Sequence, residues 1–367
     1  MSPPLLRRTI PRHHQPILTP QQRSPIIYRV ASKTSHQYQA QPPAKMTSIF
    51  EPSPSSSDAD PFSQVLLNLP TTDVATIADQ LTTLVTTSPK PDTALWQLWD
   101  TLINTVITTS TLSDLPQPYY NQGPKPNHTR IFALLDAIRS QPPQKPKYIP
   151  SSFRRHLHPE DGKLHWSSPD FLPGFYLHCR DVHDILESRR DSLVPTKGGI
   201  SPGECYLRFC QFLAGLMKRE RDSGGNHILV FYACRMGMER RGLFPSSPAE
   251  SAGTSEGSLS PRETWRLDIR AAATWLRDAG EVLWAKWMHR DDDGGEGLRR
   301  HYADALDDGT EMWEGGKGLT RDRWAFWARR LREIGGDDDS GLDDEETRGV
   351  ALEAARVVER LLERGES

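Results

Sequence analysis

The chain has 367 residues, with 45 Lys+Arg against 48 Asp+Glu, a formal net charge of −3 and 36 % apolar residues. Four cysteines are too few for a disulfide scaffold, and no apolar run approaches the roughly 18–20 residues of a membrane span. Near-neutrality argues against a chain built wholly for nucleic acid, and a mean hydropathy of −0.61 leaves part of the chain outside any core.

The averages conceal a segregation along the chain. Residues 1–50 carry seven basic residues and no acid, and residues 51–123 carry one basic residue and eight acids. Residues 124–241 are basic again, 19 against 12, and residues 242–367 are acidic, 18 against 28. Residues 1–60 read as a disordered, Pro-rich basic leader, because Pro3, Pro4, Pro11, Pro16, Pro20 and Pro25 break every helical turn. A mitochondrial presequence needs an amphipathic helix, which these prolines oppose, and Leu5-Leu6 runs at once into Arg7-Arg8 rather than into a secretory apolar stretch. The expected compartment is therefore cytoplasmic or nuclear. Met46 is a second plausible start.

Helical spacing begins at Pro61. Phe62, Val65, Leu66 and Leu69 form a first short helix, and Val74, Ile77, Ala78, Leu81, Leu84 and Val85 a second. The second is rich in threonine, a poor helix former, so burial must compensate. Asp92 is placed to cap a third helix with Leu95, Trp96, Trp99, Leu102, Ile103 and Val106 on its apolar face. After a Pro-rich loop over 112–126, Asn127 or Thr129 opens a fourth through Ile138. Asn127-His128-Thr129 is a glycosylation sequon, but without a secretory signal its simpler role is that cap.

Residues 151–170 show no clear period. A helix from Phe171 to about Leu193 follows, and Ser201-Pro202 opens the next. The run Ile228–Cys234 reads as a buried helix. A linker spans 245–260, and Ser260-Pro261-Arg262-Glu263 then starts the strongest helix of the chain through a capping box. Acidic loops at 291–318 and 335–346 flank a helix capped by Thr320, and a last helix runs from about Glu345 to Glu363. The expectation is an all-α fold: one irregular multi-helix domain over 61–365 behind the leader.

Candidate chemistry is sparse. Gly199-Ile200-Ser201-Pro202-Gly203 matches a hydrolase elbow, but Pro202 has no N–H for the oxyanion and no strand precedes it. Gly253-Thr254-Ser255-Glu256-Gly257 matches the same pattern inside the linker. Histidines cluster at His156, His158, His165, His178 and His183. Cys179 and His183 share a helical face, and with His178 they are weak candidates for a metal, lacking motif spacing. Loops starting at Asp291 and Asp337 would put Tyr302 and Arg348 where calcium needs Glu. No metal or cofactor is expected. The cations of 124–241 are interleaved with acids, which reads as a solvated surface and not as a nucleic-acid face.

Tryptophan is the conspicuous feature. Trp96/Trp99, Trp284/Trp287 and Trp324/Trp327 each place two indoles on one helical face. Aromatic stripes at helical spacing ordinarily build cores; the sharper reading makes these pairs, together with Trp275, candidates for an aromatic groove taking a ligand or peptide.

In the C-terminal half, Ala271-Ala272-Ala273-Thr274-Trp275-Leu276-Arg277-Asp278-Ala279-Gly280, Trp313-Glu314-Gly315 and Leu319-Thr320-Arg321-Asp322-Arg323-Trp324-Ala325-Phe326-Trp327 resemble a fungal family, domain of unknown function 3632. The resemblance covers about residues 60–365. It implies an all-helical, intracellular, uncharacterised protein and supplies no activity or catalytic residues. With no nucleophile, metal or phosphate motif standing, the expected role is a non-catalytic interaction or scaffold protein with a protein partner and no membrane. The alternative is an enzyme with a pocket near the His-rich region 156–183.

Overall fold

The computed structural model describes residues 60–108, 126–167, 172–196, 199–219, 227–240, 257–288, 310–315, 319–336 and 344–364. The leader, most of the 245–260 linker and most of both acidic loops lie outside the described residues. Ten α-helices occur among them: α1 Pro61–Leu67, α2 Val74–Thr87, α3 Pro91–Thr108, α4 Pro126–Arg139, α5 Phe175–Arg189, α6 Pro202–Arg219, α7 His227–Met238, α8 Pro261–Met288, α9 Arg321–Gly336 and α10 Glu345–Arg364. A 3-10 turn spans Ser151–His156. The described residues contain only isolated β-bridges and no strand, so the all-α expectation holds.

Local chemistry starts the helices where side chains can satisfy their free N–H groups. Asp60 accepts from the Phe62 and Ser63 amides, and Asp73 from Ala75 and Thr76. Ser201 Oγ accepts the Glu204 amide, and Thr320 Oγ1 that of Arg323. The capping box of α8 is present: Ser260 Oγ accepts the Glu263 amide while Glu263 Oε2 accepts that of Ser260, at 2.8 Å. Asp92 differs from expectation. It sits in the first turn of α3, because the helix starts at Pro91, and its carboxylate accepts the Ser152 hydroxyl instead.

Threonines in α2 are reconciled with burial by back-bonding. The buried Thr82 and Thr86 hydroxyls donate to the carbonyls of Ala78 and Thr82, each at 2.9 Å, so no polar atom is left orphaned. Helix α8 is the axis of the body. At about 1.5 Å per residue it is the longest helix described, and it packs on α6, α7 and α10, while α9 packs on α10. Partners on several sides bury more than one stripe, so Ala271, Ala272 and Ala273 are all enclosed alongside Ile269, Trp275 and Leu276. The N-terminal helices join through α3 and α4, which meet α6, and α5 lies against α3 and α6. Buried apolar residues from Phe62 to Leu361 form one contiguous cluster.

At the α7–α8 crossing the backbones approach closely. A Cβ on Gly237 would stand 2.7 Å from the Asp268 carbonyl oxygen, and the indole of Trp265 donates to the Gly237 carbonyl at 3.1 Å.

Candidate functional site

The indoles separate into distinct neighbourhoods. On α3, Trp99 is fully buried, stands edge-on to Phe175 at 5.1 Å, and donates to the Pro173 carbonyl at 2.8 Å. Trp96 is half-buried and lies 5.2 Å from the His178 ring. Trp275 is enclosed on α8. Trp284, Trp324 and Trp327 meet: Trp284 packs edge-on to Trp324 at 5.3 Å, and Trp324 contacts Trp327 at 5.7 Å. Trp287 lies on α8, and its side chain is outside the described residues. Among the described candidate indoles, only Trp96 is more than slightly exposed.

The second cluster is organised by a group that sequence patterning does not single out. Glu239, just after α7, is fully buried and accepts from Arg323 Nε at 2.6 Å and Arg323 Nη2 at 2.7 Å. Its Oε1 also accepts the Trp327 indole N–H at 2.8 Å, and its Oε2 the Thr310 hydroxyl at 3.0 Å. The Arg323 guanidinium lies 5.6 Å from the Trp313 ring and 6.0 Å from that of Trp327, within cation–π reach. Two buried charges are tolerable only when geometry and remaining hydrogen bonds compensate for lost water, and this network supplies both.

A second buried pair joins α5 to α8. Arg190 Nη1 stands 2.6 Å from Asp268 Oδ1, with the guanidinium 5.6 Å from the Tyr206 ring. Burial pushes the Asp268 carboxyl up to about 7, against the pull of Arg190 and Arg240. These charges hold helices together and are closed to solvent.

The four thiols are equally enclosed. Burial drives Cys179 and Cys234 well above the ordinary thiol range, Cys205 to about 11 and Cys210 to about 12. A nucleophilic cysteine needs a thiolate, and these environments disfavour it.

The histidines point to different places. His178 faces α3, with Nε2 3.7 Å from Asp100 Oδ1. His183 is buried against Tyr206, ring centroids 5.6 Å apart. Cys179 is buried between them in sequence, and the three are not brought together as one ligand set: His183 groups instead with Asp184 and Glu187. His156 packs by Phe153 and accepts the Arg155 Nε–H at 3.1 Å on Nε2. Burial, then Arg155, lowers its pKa to about 4, against the pull of Asp92. His158 and His165 stack at 4.5 Å beside Asp161. The signal for that trio was the spacing His-x-x-Asp-x-x-x-His around a turn glycine, within a segment that shows no helical period.

A solvent-open groove of about 560 Å³ lies between α1 and α2, lined by Pro61, Gln64, Val65, Asp79, Gln80, Thr83 and Leu84. Its floor is apolar, its rim is amide and hydroxyl, and its one lining charge is the Asp79 carboxylate. The α1–α2 corner is held from below by Arg130, which donates to the Leu69 and Thr72 carbonyls, each at 2.9 Å.

These features define an all-α protein built around one long helix and cross-braced by buried ion pairs. The chain matches the family described as "Protein of unknown function (DUF3632)" over residues 99–331, well over half its length, and belongs to that family. The matched span runs from Trp99 to Leu331 and includes Glu239, Arg323, Arg190 and Asp268; α1, α2 and α10 lie outside it. No curated protein and no solved structure matches the chain.

Proposed function

We propose that this protein is a non-catalytic interaction module of the cell interior, which receives a basic amphipathic segment of a partner protein in the groove between α1 and α2. The observation that carries the reading is that groove: an apolar floor of Val65 and Leu84 with a single charge, Asp79. Helix-in-groove recognition needs an apolar channel for the partner's anchors, and charge complementarity selects among partners. Between Asp60 and Thr108 the chain carries five acids and one base, Lys90, which favours a cationic partner. The enclosed indoles and raised thiols are consistent with a body that serves as support and not as reaction centre. Four free cysteines suit a reducing compartment, cytoplasmic or nuclear. Among the described residues no helix is long and apolar enough to cross a membrane.

The test is a fluorescence-anisotropy titration of the full chain with a labelled leucine–lysine amphipathic peptide and its leucine–glutamate counterpart. The basic peptide is expected to bind saturably at one site, and Leu84→Lys or Asp79→Lys to weaken it by about tenfold or more. Absence of binding, or equal binding to the variants, overturns the proposal. The enzyme reading draws its support from one place, the surface cluster of His158, Asp161 and His165.

A further inference from the structure

The segment after the 3-10 turn folds back on itself. Leu157 and Leu164 pair as an antiparallel bridge, and Leu164 also pairs with Gln144. His158 N–H donates to the Lys163 carbonyl at 2.8 Å, and Gly162 N–H to the His158 carbonyl at 2.9 Å. Gly162, at φ +65°, supplies the left-handed residue that closes the turn. Leu164 and Trp166 are fully buried, so the hairpin is anchored in the core while its tip meets water.

That tip presents two imidazoles and a carboxylate on one side. The His158 and His165 rings stack at 4.5 Å and 16°. His165 Nε2 lies 2.9 Å from Asp161 Oδ2, and His158 Nδ1 lies 3.9 Å from Asp161 Oδ1. One ligand atom from each residue falls within a common 4.8 Å. His158 Nδ1 is shielded from water yet has no hydrogen-bond partner among the described residues. Asp161 is held by the Lys163 amide, which donates to Oδ1 at 2.9 Å.

We propose that His158, Asp161 and His165 form a binding site for a divalent transition-metal ion of the zinc type. Two imidazole nitrogens and one carboxylate oxygen are a donor set that zinc accepts, with water completing four-coordination. The side chains are 39 %, 37 % and 28 % exposed, open to an ion from solution. Small ring rotations bring the three donors to a common ion, because the backbone between them is already closed by the turn. The group His183, Asp184 and Glu187 is the weaker rival: Glu187 stands 4.0 Å from Arg190, whose fixed positive charge opposes a second cation.

The full chain, untagged and freed of metal by a chelator, is titrated with Co²⁺ and followed by visible absorption. One equivalent is expected to bind with the bands of a low-coordinate cobalt site and to be displaced by Zn²⁺. Asp161→Asn and His165→Gln are each expected to weaken uptake at least about tenfold with unchanged circular dichroism, and His183→Gln to leave it unchanged. A second measurement needs no variant: Zn²⁺ should protect His158 and His165 of the wild-type chain from carbethoxylation, read by peptide mass. Failure to take up equimolar Co²⁺, uptake that survives both substitutions, or zinc protection at other histidines alone would each overturn the proposal.

Discussion

Glu239 and Arg323, 84 positions apart in the chain, meet as a fully buried ion pair with two parallel hydrogen bonds of 2.6 and 2.7 Å. The pair ties the end of α7 to the first turn of α9, and it recruits Trp327 and Thr310 as further donors. Removing one partner strands the other charge in the core. Glu239→Gln is therefore expected to lower unfolding stability by about 3–5 kcal/mol. Arg323→Met should cost a similar amount, and the double variant much less than the sum. Denaturant unfolding of the four proteins checks this; strictly additive losses would show that the two side chains do not act as a unit.

His156 should give the protein an acid-sensitive stability. Its imidazole titrates near 6.5 in the unfolded chain and near 4 in the fold, where Nε2 must stay unprotonated to accept the Arg155 N–H. Between these values the unfolded chain binds the extra proton. The stabilisation is thus fully present above pH 6.5 and is lost as pH falls towards 4, by about 3 kcal/mol in total. His156→Gln stays neutral throughout and should flatten the stability–pH slope in that window. An unchanged slope would mean that His156 is protonated in the folded state.

Gly237→Ala should destabilise the chain by about 1–3 kcal/mol. The added methyl would meet the Asp268 carbonyl at 2.7 Å, and backbone cannot swing aside as a flexible side chain can. Thermal unfolding measures the loss; a neutral result would place α7 further from α8.

The four thiols should react slowly with an aromatic disulfide reagent in the native protein and rapidly after denaturation. All four are buried, and burial raises Cys205 to about 11, Cys210 to about 12, and Cys179 and Cys234 well above the ordinary thiol range, so little thiolate exists at neutral pH. Fast labelling of any one in the native state would reveal an opening that the packing does not show.

Helices were legible because their signals are local. Ser260 and Glu263 write a capping box, Ser201-Pro202 writes a helix start, and the residues of α8 repeat at helical intervals, so α8 and α6 begin where the chain says they should. The continuous apolar run at 228–234 also resolves as helix α7. Boundaries are harder: α5 starts at Phe175, because Leu172 and Pro173 are used in the turn that leads to Gly174 at φ +72°, and Phe171, where the spacing starts the helix, lies outside the described residues. The polar interior was not legible. Glu239 follows a Met-rich helix and Arg323 sits in a run of charged residues, and nothing within a few positions of either marks it as buried. Their pairing depends on the contacts that α9 and α10 make with the rest of the body. The indole pairs were visible as faces, but spacing alone does not distinguish a face turned inward from one lining a cleft. The hairpin carrying His158 and His165 leaves no trace in the sequence pattern for the opposite reason: its order comes from a turn and isolated bridges, which have no period.

Docking of a basic segment between α1 and α2 is read most directly by hydrogen–deuterium exchange of the full chain with and without the basic amphipathic peptide. Occupancy of the α1–α2 groove predicts added protection in 61–67 and 74–87, with α8 and α9 unchanged. Protection confined to α9 and α10, or no change anywhere at saturating peptide, would contradict it.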